Sequence, residues 1–135
     1  MARKIPWMIA GVAVVAAALV LVTARTASAG HHPEPRPALT GAAVLPASDF
    51  GQDERLVRAY AAARAMPEVL DGLFCYCQCK KNFGHRSLLT CFESEHGASC
   101  DICLGEAQMA AEMHATGASL DALRRAIDAR FGSGG

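Results

Sequence analysis

Several features are missing from this sequence, and each absence excludes a class of protein. The chain has no net charge, because 13 lysines and arginines balance 13 aspartates and glutamates among its 135 residues. It also lacks a basic stripe, which argues against a nucleic-acid partner. No alternation of strand and helix patterns indicates a thioredoxin-like fold, and no internal repeat is recognisable. No cysteine closely follows the first apolar run, so a lipoprotein anchor is not predicted.

The first 29 residues have the pattern of a signal peptide or a membrane anchor. Arg3 and Lys4 precede an apolar run at 7–22, and Ala27-Ser28-Ala29 is the A-x-A pattern that a signal peptidase cuts. The run is shorter than the ~20 residues that a spanning helix usually needs, so we favour cleavage. If the leader stays on the chain, residues 5–22 are its membrane contact. In both cases we expect the remaining chain to be extracytoplasmic, whether periplasmic, secreted or anchored on the outer face of the cytoplasmic membrane.

A linker is predicted to separate this leader from a folded domain. Residues 30–52 are rich in proline and alanine, a composition typical of a disordered tether. Residues 53–132 then form the domain, whose roughly 80 residues are near the lower size for a self-sufficient core. We therefore expect the six cysteines to stabilise it, as disulfides or as a metal site.

Helical spacing recurs through the predicted domain. In its last segment, Leu120, Leu123, Ile127 and Phe131 lie at i, i+3, i+7 and i+11 and form an apolar stripe after the N-cap residue Ser119. We predict an all-α fold, a small bundle of about four short helices with a cysteine-rich loop. The predicted helices cover 53–65, 85–95, 100–116 and 120–131, with a short helix or turn at 67–73.

Three cysteines at alternate positions are the strongest signal in the chain: Cys75, Cys77 and Cys79. In an extended segment, residues i, i+2 and i+4 point to one face, so the three sulfurs converge on one point. Pairing within so short a loop is expected to be strained. We therefore predict three thiols that do not easily pair with each other, a set that suits a soft metal ion or an exchangeable redox site.

A series of motifs from about residue 66 to residue 131 resembles a known family. The motifs are Phe74-Cys-Tyr-Cys-Gln-Cys-Lys, Gly84-His-Arg-Ser-Leu-Leu, Cys91-Phe92, His96-Gly97 and Cys100-Asp-Ile-Cys103. Together they resemble the bacterial secreted proteins named for a PCYCGC motif, also called the CYCXC family. Phe74 and Gln78 stand where that name implies proline and glycine. Some family members carry selenocysteine in the motif, so the resemblance implies a reactive sulfur-type site. The C-terminal Cys-x-x-Cys and its two helices are also similar to the helical domain of cytochrome c maturation thiol reductases.

The two groups of cysteines are predicted to meet at a metal site. Cys100 and Cys103 lie at i and i+3 on the first turn of a predicted helix, where the helix dipole lowers the pKa of a thiol. Thiolate-rich sites select Cu(I), zinc or iron–sulfur clusters. A closed zinc site takes only four ligands, whereas several Cu(I) ions can share bridging thiolates. We therefore favour a protein that handles Cu(I) as a chaperone, buffer or detoxifier, with zinc second. The candidate metal ligands are Cys75, Cys77, Cys79, Cys91, Cys100, Cys103, His85 and His96.

Three other interpretations remain open. The Cys-x-Cys-x-Cys and Cys-x-x-Cys cysteines can instead cycle between dithiol and disulfide. This is the one interpretation in which the chain would be an enzyme. An exported chain with an even number of cysteines can also carry three structural disulfides, or fewer disulfides beside a smaller metal site. The third interpretation is an interaction domain that is held together by disulfides. The expected partners are accordingly a metal ion and a redox partner protein or membrane complex, and no catalytic residue is assigned.

Two further sets of soft or nitrogen ligands have simpler explanations. Met109 and Met113 lie one turn apart beside His114, but methionines at helical spacing are more often core residues. Cleavage after residue 29 would expose Gly30-His31-His32, whose amine, backbone nitrogens and imidazole suit Cu(II). We favour two solvated histidines on a tether.

Overall fold

Six α-helices and three short 3₁₀ helices form the regular structure of residues 31–132, which are the residues that the computed structural model describes. No strand occurs in this range, which confirms the predicted all-α class for the described part of the chain. The 3₁₀ helices are Gly41–Ala43, Ala47–Phe50 and Gly97–Ser99. The α-helices are α1 Glu54–Ala65, α2 Pro67–Asp71, α3 Cys79–Phe83, α4 Leu88–Phe92, α5 Asp101–Ala115 and α6 Leu120–Phe131.

The helix ends follow local sequence signals. The Asp53 carboxylate accepts the backbone N–H groups of Arg55 and Leu56 at the start of α1, and the Ser119 hydroxyl accepts the N–H of Ala122 at the start of α6. These side chains satisfy N–H groups that have no partner within the helix. Gly117, with a φ of 83°, makes the left-handed turn between α5 and α6.

The core lies between α5 and the helices around it. Helix α5 packs against both α1 and α6, while α2 packs against α4. Tyr60 on α1 is fully buried, and its ring contacts the rings of Phe50 and Phe92 at centroid distances of 4.0 and 4.9 Å. Its hydroxyl donates to the carbonyl of Ser94 at 2.7 Å. The other large core side chains are Leu70, Leu73, Leu88, Leu89, Leu104, Leu123 and Ile127.

The structure does not confirm the predicted disordered tether. Residues 31–52 lie against the helices, and the compact unit begins at His31. Val44 is buried in the core, and the N–H of Leu45 donates to the carbonyl of Phe92 at 3.1 Å. Proline prevents long helices here but does not prevent packing, because an extended chain with spaced apolar residues can still cover a core. The predicted leader at 1–29 lies outside the described residues.

Two predicted elements differ from the structure. The helix predicted at 85–95 is shorter, since α4 covers only Leu88–Phe92 and residues 93–96 form a bend and a turn. The cysteine run, predicted as a loop, enters helix α3 at Cys79. Within residues 31–132, no helix combines the length and the apolar character needed to cross a membrane.

Candidate metal centre

The cysteine loop is shaped by one residue in a left-handed conformation. Gln78 has a φ of 60° and a ψ of 22°, and helix α3 starts directly after it. The turn brings the Cα atoms of Cys77 and Cys79 to 5.5 Å, and their sulfurs form a disulfide. This separation lies within the range usual for disulfides. The prediction that the triplet cysteines would not pair with each other is therefore wrong, because it assumed an extended segment and the chain turns at Gln78.

Five sulfur atoms nevertheless converge, and we call them the sulfur group: Cys75, Cys77, Cys79, Cys91 and Cys103, all within 4.8 Å of one another. The Sγ atom of Cys75 lies 3.2 Å from that of Cys77 and 3.4 Å from that of Cys103. The Cys103 and Cys77 sulfurs are 3.5 Å apart. All members are buried except the partly buried Cys77. Sulfur atoms from three separate segments thus meet in the core.

A second set of ligand atoms adjoins the first and contains both candidate histidines. This set, called here the Cys₂His₂ group, comprises Cys79, His85, Cys91 and His96, whose ligand atoms also lie within 4.8 Å of one another. The Cys79 Sγ is 3.0 Å from His96 Nε2, and the Cys91 Sγ is 3.3 Å from His85 Nδ1. The cysteines are buried and the histidines half-buried, so the group extends from the core to the surface.

Cys100 belongs to neither group. It is the N-cap residue of α5 and has extended backbone angles, φ −129° and ψ 106°, so the helical i, i+3 relation to Cys103 does not apply to it. Cys100 is half-buried. The structure thus brings together seven of the eight candidate ligands and leaves Cys100 beside them.

Hydrogen bonding and burial raise the pKa values of the three free thiols of the sulfur group, Cys75, Cys91 and Cys103. The hydrogen bond of Cys103 to Cys75 acts to lower the pKa of Cys103, but its hydrogen bond to Cys91 and its burial raise that pKa well above the ordinary value. The pKa of Cys75 is raised too, chiefly by its hydrogen bond to Cys103. The expectation that the start of a helix would lower the pKa of Cys103 is therefore wrong. The hydrogen bond to Cys91 and burial away from water together outweigh the helix dipole here.

Glu106 is a member of the site that sequence reasoning missed. Its side chain is fully buried, one carboxylate oxygen accepts the N–H of Tyr76 at 2.8 Å, and burial raises its pKa to about 7. The other oxygen, Oε2, has no hydrogen-bond partner among the described residues. Glu106 lies one turn after Cys103 on the buried face of α5. The sequence signal that could have identified Glu106 is its position as an acidic residue on the otherwise apolar face of α5.

The N-terminal segment supports the cysteine loop. His32 has 8% of its surface exposed; its Nδ1 accepts the N–H of Phe74 at 2.9 Å, and its Nε2 lies 2.7 Å from the carboxylate of Asp128. The Tyr76 hydroxyl donates to the same carboxylate at 2.6 Å. The interpretation of His32 as a solvated tether residue is therefore wrong, and its Nδ1 is engaged by the backbone rather than free for Cu(II). His114 is exposed, whereas Met113 packs against the core.

Comparison with known proteins gives one result that covers most of the chain. A family model, described as a protein of unknown function with a PCYCGC motif, matches residues 23–135. No curated protein and no solved structure matches the chain.

Proposed function

This chain belongs to the family of proteins with the PCYCGC motif, and we propose that it binds Cu(I) outside the cytoplasm through its sulfur group. The observation that carries this proposal is the convergence of five cysteine sulfurs within 4.8 Å of one another. A dithiol reductant that supplies two electrons and two protons opens the disulfide, and all five sulfurs are then thiols that lose their protons on metal binding. Thiolate ligands select soft ions such as Cu(I), and several Cu(I) ions can share bridging thiolates.

The surroundings of the sulfurs also suit this soft ion. Cys75, Cys77 and Cys103 form a triangle with sides of 3.2, 3.4 and 3.5 Å, which offers Cu(I) three donors at once. Leu73 and Phe92 are fully buried in the same core and keep water out. Because the thiols must lose their protons to bind a metal, binding releases protons and stabilises the folded chain. The role is that of a Cu(I) chaperone, buffer or detoxifier.

The extracytoplasmic location is part of the proposal and has two supports. The leader has the pattern of an export signal. The Cys77–Cys79 disulfide is a feature that persists in oxidising compartments and is rare in the cytosol. Fusion of the first 29 residues to a reporter enzyme that is active only outside the cytoplasm tests this location. An inactive reporter with these residues intact would contradict it.

Competition for Cu(I) tests the binding proposal. The full chain, reduced and under anaerobic conditions, is titrated with Cu(I) in the presence of a chromophoric Cu(I) chelator. We expect the chain to withdraw Cu(I) from the chelator, and Cys103→Ser to weaken binding at least tenfold. Cys100→Ser is the matched control, because this cysteine lies outside the sulfur group, and it should bind as the unaltered chain does. Equal affinities of the Cys103→Ser and unaltered chains would contradict a site at the sulfur group.

Thiol–disulfide exchange is a second candidate function, favoured by the thiol next to the disulfide. The Cys103 and Cys75 sulfurs lie 3.5 and 3.2 Å from that of Cys77. In this exchange the Cys103 thiol gives its proton to solvent and its sulfur attacks Cys77, so that the Cys103–Cys77 bond forms, the Cys77–Cys79 bond breaks, and the departing Cys79 thiolate takes up a proton. Reduction of insulin by the dithiol form, abolished by Cys103→Ser but not by Cys91→Ser, would favour this function. Absence of insulin reduction would count against it.

A further inference from the structure

The Cys₂His₂ group has a different chemistry from the sulfur triangle beside it. The triangle of Cys75, Cys77 and Cys103 contains only sulfur. The neighbouring group combines two sulfurs with two imidazole nitrogens. No residue needs to serve in both sets, so the seven converging ligands divide into one set of three and one set of four.

We propose that Cys79, His85, Cys91 and His96 form a separate tetrahedral Zn(II) site, which becomes available when the Cys77–Cys79 disulfide is reduced. The inference rests on the proposed function in one respect, namely that the clustered cysteines act as metal ligands. It adds a second ion, Zn(II), and the condition that the disulfide must be reduced before this ion binds.

The distances suit a tetrahedral zinc ion after small movements. Zinc–sulfur bonds of about 2.3 Å and zinc–nitrogen bonds of about 2.0 Å place a sulfur and a nitrogen ligand roughly 3.5 Å apart. Two of the four sulfur–nitrogen pairs, Cys79–His96 and Cys91–His85, are 3.0 and 3.3 Å apart, and all four ligand atoms lie within 4.8 Å of one another. These two pairs need to separate by only a few tenths of an ångström. Two cysteines and two histidines form one of the usual closed sets for structural zinc.

The placement of the ligands on the fold also suits a metal that enters from solvent. Cys79 opens α3 and Cys91 lies in α4, and both sulfurs point inward. His85 and His96 are half-buried, with ring centroids 4.8 Å apart. The exposed ring of Phe83 lies 4.5 Å from that of His96, at the outer edge of the group. Solvent thus reaches the nitrogen side of the group, while the sulfur side is fixed by the core.

Zinc binding depends on the redox state of the chain, because Cys79 belongs both to the disulfide and to the Cys₂His₂ group. While Cys79 is bonded to Cys77, it cannot be a thiolate ligand, and three donors remain. A dithiol reductant breaks the Cys77–Cys79 bond by supplying two electrons and two protons, and it becomes a disulfide itself. Cys77 and Cys79 are then thiols. Zn(II) binding transfers the protons of Cys79 and Cys91 to solvent and leaves Cys77 to the sulfur triangle.

Titration of the full chain with Zn(II) and with Co(II) as a spectroscopic substitute tests this inference. The reduced chain is first loaded with one equivalent of Cu(I), so that the sulfur triangle is occupied. We expect it to bind one further Zn(II), and the Co(II) form to show the strong visible bands of tetrahedral cobalt with two thiolates. His85→Gln and His96→Gln should each weaken Zn(II) binding at least tenfold. His114→Gln is the matched control, because His114 is exposed and outside both groups, and it should have no effect.

A second comparison tests the redox condition. It also distinguishes failure of this inference from failure of the proposed function. The chain with its disulfide intact should bind Zn(II) at least tenfold more weakly than the reduced chain. Zn(II) binding that is unaffected by both histidine variants, or equal in the two redox forms, would overturn the inference. Circular dichroism of each variant shows whether it is folded. His85→Gln and His96→Gln should retain Cu(I) binding. If the unaltered reduced chain binds Cu(I) but no Zn(II), this inference is contradicted, whereas absence of Cu(I) binding contradicts the proposed function.

Discussion

Arg36 binds the buried carboxylate of Asp71 with both its backbone and its side chain. The backbone N–H donates to Asp71 Oδ2 at 2.7 Å, and the guanidinium donates to Oδ1 at 2.9 Å. Arg86 and Ser87 complete the set of donors at 2.7 and 2.8 Å. One fully buried carboxylate thus joins the N-terminal segment, the end of α2 and the residues just before α4. This explains why the proline-rich segment stays on the helices.

Replacement of Asp71 by asparagine should therefore destabilise the chain substantially. The variant loses a charged acceptor for four donors, and we expect the free energy of unfolding to fall by about 2–3 kcal/mol. Asp101→Asn is a matched control, because the Asp101–Arg55 pair lies on the surface. Exposed pairs contribute less than about 1 kcal/mol. Urea unfolding of both variants measures the difference, and similar losses would contradict the importance of the buried carboxylate.

The pKa of Asp71 predicts when this contribution disappears. Burial alone would raise the pKa, but the hydrogen bonds from Arg36 and Ser87 outweigh it and lower the pKa below its ordinary value of 3.8. The stabilisation is therefore present above pH 3.8 and is lost as the pH falls from there through the lower folded-state pKa. Acid unfolding should begin at higher pH in Asp71→Asn than in the unaltered chain, because the variant has less stability to lose. An unchanged acid midpoint would contradict this prediction.

His32 should make the chain less stable as the pH falls through the ordinary histidine pKa. Burial lowers the pKa of His32 below 6.5, Arg124 and His31 lower it further, and Asp128 compensates only in part. The unfolded chain then takes up a proton first, so stability is full above pH 6.5 and is lost as the pH falls towards the folded-state pKa.

Urea unfolding at about pH 7.5 and about pH 5.5, one unit on either side of the ordinary histidine pKa, measures this effect. His32→Gln removes the titrating group, so this variant should lose less stability on acidification than the unaltered chain. His114→Gln removes an exposed histidine and should leave the loss unchanged. Equal losses in the His32→Gln and unaltered chains would contradict a buried neutral His32.

The sequence predicts the parts of this fold that depend on neighbours in the chain. The stripe of Leu120, Leu123 and Ile127 and the cap at Ser119 lie within one helix, and the prediction for α6 is confirmed at both ends. The bond between Arg36 and Asp71 joins residues 35 positions apart. No periodic pattern connects such residues, so the sequence predicts the segment at 30–52 only from its composition.

For the candidate site too, the sequence predicts features that depend on neighbouring residues but not contacts between residues far apart in the chain. The spacing of Cys75, Cys77 and Cys79 predicted sulfurs on one face of an extended segment, whereas in the structure the chain turns at Gln78 and the sulfurs meet by a different route. The disulfide depends on the left-handed turn at Gln78, a conformation for which glutamine gives no signal. Glu106 enters the site only because α5 packs beneath the loop, a contact between residues 30 positions apart.

Gln78→Gly should stabilise the chain, because it relieves the left-handed backbone at that position. A side chain costs about 1–2 kcal/mol in this conformation, while glycine costs roughly 0.5–1 kcal/mol of extra chain entropy. We therefore expect a gain of about 0.5 kcal/mol, measured by urea unfolding with the disulfide intact. Gln108→Gly makes the same change inside helix α5 and should cost about 1 kcal/mol. Equal losses in both variants would contradict a left-handed Gln78.

Chelation should lower the thermal stability of the Cu(I)-loaded chain, since a ligand that binds only the folded state stabilises it by mass action. At a free Cu(I) concentration about one hundredfold above Kd the gain is about 2.7 kcal/mol. This is a large effect, because small domains are marginally stable and their metal-binding energy becomes folding energy. Adding a strong Cu(I) chelator to the reduced, loaded chain should therefore lower Tm by several degrees. Cys100→Ser should show the same decrease and Cys103→Ser a smaller one, because only Cys103 belongs to the sulfur group. An unchanged Tm on chelation would mean that the fold holds the sulfurs in place without help from a metal.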